Sequence, residues 1–128
     1  MKAVLDGDGY PTYETLETIS KFKIENKQSI AEFFNYCESA YNKHYGVWEI
    51  VEEYDEYVFD RDRLTIRIEY FIFGAMLKIA TGGWSGNEMI ISAMQENPIW
   101  NMHWAVSIHG GVHILFIKKH NLAAIDQA

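Results

Sequence analysis

The sequence predicts an α+β domain, with an antiparallel sheet of about five or six strands and two or three helices packed on one face. Three observations carry that expectation. Apolar residues recur at helical spacing from Ile30 to Tyr41, the pattern changes to alternation from Val47 onward, and glycine-rich corners divide the later runs. With 128 residues, the chain is sized for one domain over 1–128, with 1–11 as a loose arm and 118–128 as a frayed tail.

Taken in order, Asp6-Gly7-Asp8-Gly9 and Pro11 mark an opening turn. A short helix is expected over 13–22 with Thr12 as its N-cap. Ser29 followed by Glu32 reads as a capping box for the next helix. That helix turns Ile30, Phe33, Phe34, Cys37 and Tyr41 inward and ends near His44 to Gly46. Strands are expected over 47–53, 56–60, 64–69 and 75–80, with turns at Asp60-Arg61-Asp62 and near Gly74. A further helix over 86–96 stops at Asn97-Pro98. Trp100, Met102, Trp104, Val106 and Ile108 then alternate as a strand, His109-Gly110-Gly111 turns the chain, and 112–117 returns.

The most specific feature is the turn Thr81-Gly82-Gly83-Trp84-Ser85-Gly86-Asn87-Glu88. Gly82 and Gly83 open backbone angles closed to other residues. Ser85 with Glu88 reads as a second capping box, and Trp84 as a hydrophobic staple reaching Met89. The bland reading is a strand-to-helix corner. The sharper one is an anion site at the free N–H groups of the helix start. Neither the dinucleotide fingerprint nor the P-loop pattern fits, however. Gly83-Trp84-Ser85-Gly86-Asn87 departs from a nucleophile elbow, with Asn87 where the last glycine belongs.

This motif, followed by an apolar helix, a Trp-rich strand and a Gly-Gly turn, resembles a family of small proteins encoded by phages and prophages. The resemblance spans about residues 63–117. It implies a phage or prophage origin and no particular reaction. In that family the last turn often reads Arg-Gly-Gly-His; here it reads His109-Gly110-Gly111-Val112-His113, which removes the basic residue.

Composition narrows the function classes. Eleven basic against eighteen acidic side chains give a net charge of −7, a field opposed to nucleic acid and to anionic membranes. It favours a protein partner with a basic surface, from host or phage. The N-terminal residues lack the apolar run of a signal peptide. The single cysteine, Cys37, forms no intrachain disulfide and fits a reducing compartment, so the expected location is the host cell cytoplasm.

Glu49, Glu52, Glu53, Asp55, Glu56, Asp60 and Asp62 place seven carboxylates in fourteen residues, interleaved with Tyr54 and Tyr57. Such a run is either a solvated face or a contact surface for a basic partner. Its spacing scatters the acids over both faces of a strand, so no metal site is expected. His103, His109 and His113 read as exposed strand histidines. Trp100 and Trp104 read as core, and a tryptophan facing outward would be a protein-binding anchor.

The expected function is therefore that of a noncatalytic accessory protein acting by protein–protein binding. Its concrete form would be a counter-defence inhibitor with Glu49, Glu52, Glu53, Tyr54, Asp55, Glu56, Tyr57 and Asp60 as its contact residues. The alternative is a small-ligand or anion-binding module on Gly82 to Glu88. A small hydrolase or nuclease built on Ser85 or the histidines comes third. No cofactor is called for, and the surplus of aromatic residues, 15% of the chain, suits a homodimer.

Overall fold

In a computed structural model that describes residues 2–51 and 74–118, two helices lead into the sheet: α1 (Tyr13–Ser20) and α2 (Ser29–Ala40). β1 (Val47–Val51) and β2 (Gly74–Ala80) come next. They are followed by α3 (Ser85–Gln95), α4 (Pro98–His103), β3 (Trp104–Ile108) and β4 (Val112–Lys118). The fold is α+β as expected. Its sheet has four antiparallel strands in the order β1-β2-β4-β3 among the described residues, not five or six, and four helices accompany it rather than two or three. The strands expected over 56–60 and 64–69 lie outside the described residues.

The helix count rises because residues 98–103 do not continue the strand pattern. Asn97 accepts the Ile99 N–H on its side-chain oxygen at 2.9 Å and Pro98 fills the first helical position. A proline there has no amide to leave unbonded and has φ preset for a helix. The same dipeptide thus stops α3 and starts α4.

Neither expected serine capping box forms. Ser29 and Ser85 are the first helical residues, and the N-caps Gln28 and Trp84 make no side-chain cap bond. The Ser29 hydroxyl instead accepts the N–H groups of Glu25 and Asn26 at 2.8 and 3.0 Å. It closes the turn before the helix. Thr12 does cap α1, accepting the Thr15 N–H at 3.3 Å.

The register makes the sheet two-faced. Trp48 pairs with Ile79, Ile50 with Leu77, and Leu77 with Leu115, so these residues and Ile117 lie on one face. That face forms one core with Ile19 of α1, Phe33, Phe34 and Cys37 of α2, Ile90 and Met94 of α3, and Ile99 and Trp100 of α4. Burying each large apolar side chain contributes about 1.5–3 kcal/mol. The helices therefore pack on one side of the sheet. No helix among the described residues is long and apolar enough to cross a membrane.

The first residues fold back on α1. Thr15 Oγ accepts the Val4 N–H and donates to the Val4 carbonyl, both at 2.9 Å, and Ala3 N–H reaches Ser39 at 3.0 Å. The Asp6 carboxylate accepts the N–H groups of Asp8 and Tyr10, closing a turn whose stem pairs Leu5 with Pro11. This small hairpin delivers Tyr10 to the start of α3.

Candidate functional site

The tryptophan-bearing strand is where the structure departs most from the sequence pattern. α4 removes Trp100 and His103 from any strand. Trp100 is 3% exposed in the core, while His103 is buried with Nδ1 at 2.9 Å from the Ile99 carbonyl and its ring edge-on to Phe34. His103 is thus a buried helix residue, not an exposed strand histidine.

β3 then opens with a bulge, because Trp104 pairs with Leu115 while Val106 pairs with Ile114. The extra residue, Ala105, reverses the phase of the strand. Trp104 falls on the helix-covered face with Ser107; Val106 and Ile108 fall on the other. All three large side chains are exposed: Trp104 by 44%, Val106 by 38% and Ile108 by 53%. Met102, just before the strand, is exposed by 60%.

Trp104 thus lies on the helix side but at the sheet edge, where its ring is exposed, and the expectation that it is core is corrected. Its indole N–H donates to Ser107 Oγ at 2.9 Å, and Ser107 Oγ lies 2.7 Å from His113 Nδ1 across the hairpin. The His113 ring is held edge-on by Trp100 at 5.3 Å. A chain of two hydrogen bonds thus ties an exposed anchor to the core. With neutral His113 accepting on Nδ1, the serine hydroxyl donates to it and accepts from the indole, which uses every group once.

Burial pushes the His113 imidazole below its ordinary pKa of 6.5. Its folded pKa is depressed, so its contribution to stability is present above the unfolded value and is lost as pH falls through the folded one. The urea midpoint of the wild type is expected to drop as pH falls below the ordinary histidine value of 6.5. His113→Asn should flatten that slope. An equal slope in both proteins would remove His113 as its source.

Ser107 and His113 also have the outline of a nucleophile and its base. Among the described residues, no carboxylate contacts the ring to orient it, and the hydroxyl already accepts the Trp104 N–H. The pair works as a pin for the indole. Among the described residues no histidine bonds to Ser85; its hydroxyl lies 3.0 Å from the Tyr10 hydroxyl.

The glycine-rich turn is a corner held by contacts from distant parts of the chain. Gly82 and Gly83 have φ of 68° and 77°. The Trp84 ring lies against Gly86, with no room for a side chain there, stacks on Tyr45 at 5.3 Å and meets Tyr10 at 4.8 Å. Buried Asn87 accepts the Asn42 N–H and donates to the carbonyls of Asn42 and Thr81. Exposed Glu88 adds a negative charge to the first turn. An anion approaching this helix start would meet Trp84 and that carboxylate.

Of the acidic contact residues, only Glu49 is described; it is exposed at the middle of β1, on the sheet edge opposite β3. Glu52, Glu53, Tyr54, Asp55, Glu56, Tyr57 and Asp60 lie outside the described residues. Among the described residues, no three His, Cys, Asp or Glu side chains gather into a possible metal site. Cys37 is fully buried, which pushes its thiol up and keeps it unreactive. A groove of ≈ 480 Å³ runs between Tyr13 and Leu16 of α1 and Met89 and Ala93 of α3. An adjoining one of ≈ 570 Å³ lies between Phe22, Ile24 and Ile99.

The pinned Trp104 escapes a reading of the sequence because Trp100 to Ile108 keeps perfect alternation on paper. The one signal for it was Asn97-Pro98, a helix start as well as a stop. No family model, curated protein or solved structure matches this chain.

Proposed function

We propose that this is a noncatalytic accessory protein that binds another protein through the rim formed by Met102, Trp104, Val106 and Ile108. The observation that carries this reading is the exposed but pinned indole of Trp104. Tryptophan is enriched among the residues that dominate binding energy, and a side chain already fixed in place loses little entropy when a partner covers it. Val106 and Ile108, exposed on the opposite face of the same edge strand, add apolar area to the rim.

The partner is a protein with a basic surface, steered by the net charge of −7. Glu49 and the acidic residues that follow it in the sequence shape that field. The spelling of residues 81–88 supports a phage or prophage origin, which makes a host or phage protein the natural partner.

The test is capture of proteins from a lysate of the host by the full chain and by Trp104→Ala, followed by affinity measurement with the protein identified. A loss of at least about 2 kcal/mol, roughly thirtyfold in Kd, is expected from a hot-spot tryptophan. The melting temperature should change little, because the indole is not core. Equal affinity for both proteins would sink the proposal.

A further inference from the structure

The two edges of the sheet are built differently. β1 carries the exposed carboxylate of Glu49 at its centre. A charge in that position discourages a second strand from pairing. β3 reads Trp-Ala-Val-Ser-Ile, with no charged residue and no proline, and it pairs only with β4 among the described residues. Its bulge lies at Ala105, so Val106, Ser107 and Ile108 continue as regular strand whose outer side has no strand partner among the described residues. An edge strand with these properties presents free backbone donors and acceptors to any extended chain.

We infer that two copies of this chain associate edge to edge through β3, joining their sheets across a two-fold axis. Antiparallel pairing centred on Ser107 sets Val106 of one copy opposite Ile108 of the other, on both sides of the axis. Four exposed apolar side chains then meet on the face away from the helices, and no charge faces a like charge along the seam. Self-complementarity of this kind is what a second copy offers and an arbitrary partner does not. Trp104 stays on the other face of the sheet, pinned to Ser107.

The strand is short. Its five residues cover a fraction of the ~800 Å² per partner that stable complexes bury, so the dimer is a reversible one that forms at high concentration. Each copy carries −7, and their mutual repulsion weakens as salt screens it. Association therefore strengthens with added salt, opposite in sign to the binding of a basic partner. The proposal shares its rim with the binding function above but stands on the backbone edge rather than on the indole.

Sedimentation velocity of the purified full chain tests it over a wide concentration range, in low and in high salt. The weight-average coefficient is expected to climb from monomer toward dimer, further in high salt. Ile108→Lys should weaken association about tenfold or more at an unchanged melting temperature, since it puts two cations at the seam of an otherwise neutral strand. Val47→Lys, at the opposite edge, should leave it intact. A monomer at every concentration and salt overturns the inference, as does a dimer indifferent to Ile108→Lys or lost with Val47→Lys. None of these outcomes touches the Trp104→Ala comparison, which reads a captured partner.

Discussion

Gly82→Ala is expected to lower the melting temperature several times more than Gly83→Ala, although the two glycines are neighbours in one turn. Both have positive φ, 68° and 77°, and an alanine held in that region costs about 1–2 kcal/mol. At Gly83 that is the whole effect, because a Cβ there would have no heavy atom within 4 Å. At Gly82 the Cβ would overlap the carbonyl group of Tyr45. That carbonyl is main chain and cannot rotate away. The segment behind it is held by the N–H groups of Tyr45 and Gly46 on the Asn42 carbonyl, at 3.2 and 3.1 Å. Gly46 is itself packed against the Ala80 carbonyl and Asn87.

Relieving the overlap means moving the α2–β1 connection off the corner. A loss above about 4 kcal/mol follows, in the range that marks a specific structural break. For a domain of this size each kcal/mol shifts the melting temperature by about 4 °C. A fall of at least about 15 °C for Gly82→Ala against about 4–8 °C for Gly83→Ala is the expected result by circular dichroism. Equal falls would mean that the corner and Tyr45 do not meet as described.

How much of this was legible beforehand depends on the range of the interaction. α2 was readable because Ile30, Phe33, Phe34 and Cys37 repeat with the helix, and all four are buried. β2, α3 and the hairpin turn were readable for the same reason: alternation, helical period and the positive φ of Gly110 and Gly111 are local properties. Misreadings arose where two local signals competed. Pro98 at a first helical position and an alternating apolar run make opposite claims on 98–103, and the capped helix won because it buries Ile99 and Trp100 together. The bulge at Ala105 left no mark in composition, so the turn of Val106 and Ile108 to the face away from the helices was invisible. The glycine-rich turn was identified as a corner, but its reasons are nonlocal: Tyr45, Tyr10 and Asn42 lie far away in sequence, and no spacing rule reaches them.

Asn87→Ala is expected to cost about 2–4 kcal/mol, more than the ~1 kcal/mol of a single hydrogen bond. The side chain is fully buried. Its oxygen accepts the Asn42 N–H at 2.8 Å, and its amide donates to the Asn42 and Thr81 carbonyls at 3.1 and 3.3 Å. Alanine leaves the Asn42 N–H without its acceptor, which costs about 1–3 kcal/mol. The two carbonyls keep other donors, Tyr45 and Gly46 on Asn42 and Trp84 on Thr81, so each bond lost there costs only about 0.5–1 kcal/mol. Asn87→Asp keeps the acceptor but loses the donor and buries a charge against two carbonyl oxygens, so it should be no milder. Urea unfolding checks this as a shift in midpoint at constant slope, and a loss below about 1 kcal/mol would show that the Asn42 N–H finds another partner.

Asn97 plays the same part at the other end of α3. Its amide donates to the carbonyls of Ile19 and Phe22 at 2.9 and 2.8 Å while its oxygen caps α4. The two asparagines are separated by a helix of about 16 Å, far enough for their effects to add. The double substitution should therefore remove a large part of the ~5–15 kcal/mol stability of a domain, seen in urea as a midpoint well below that of either single variant.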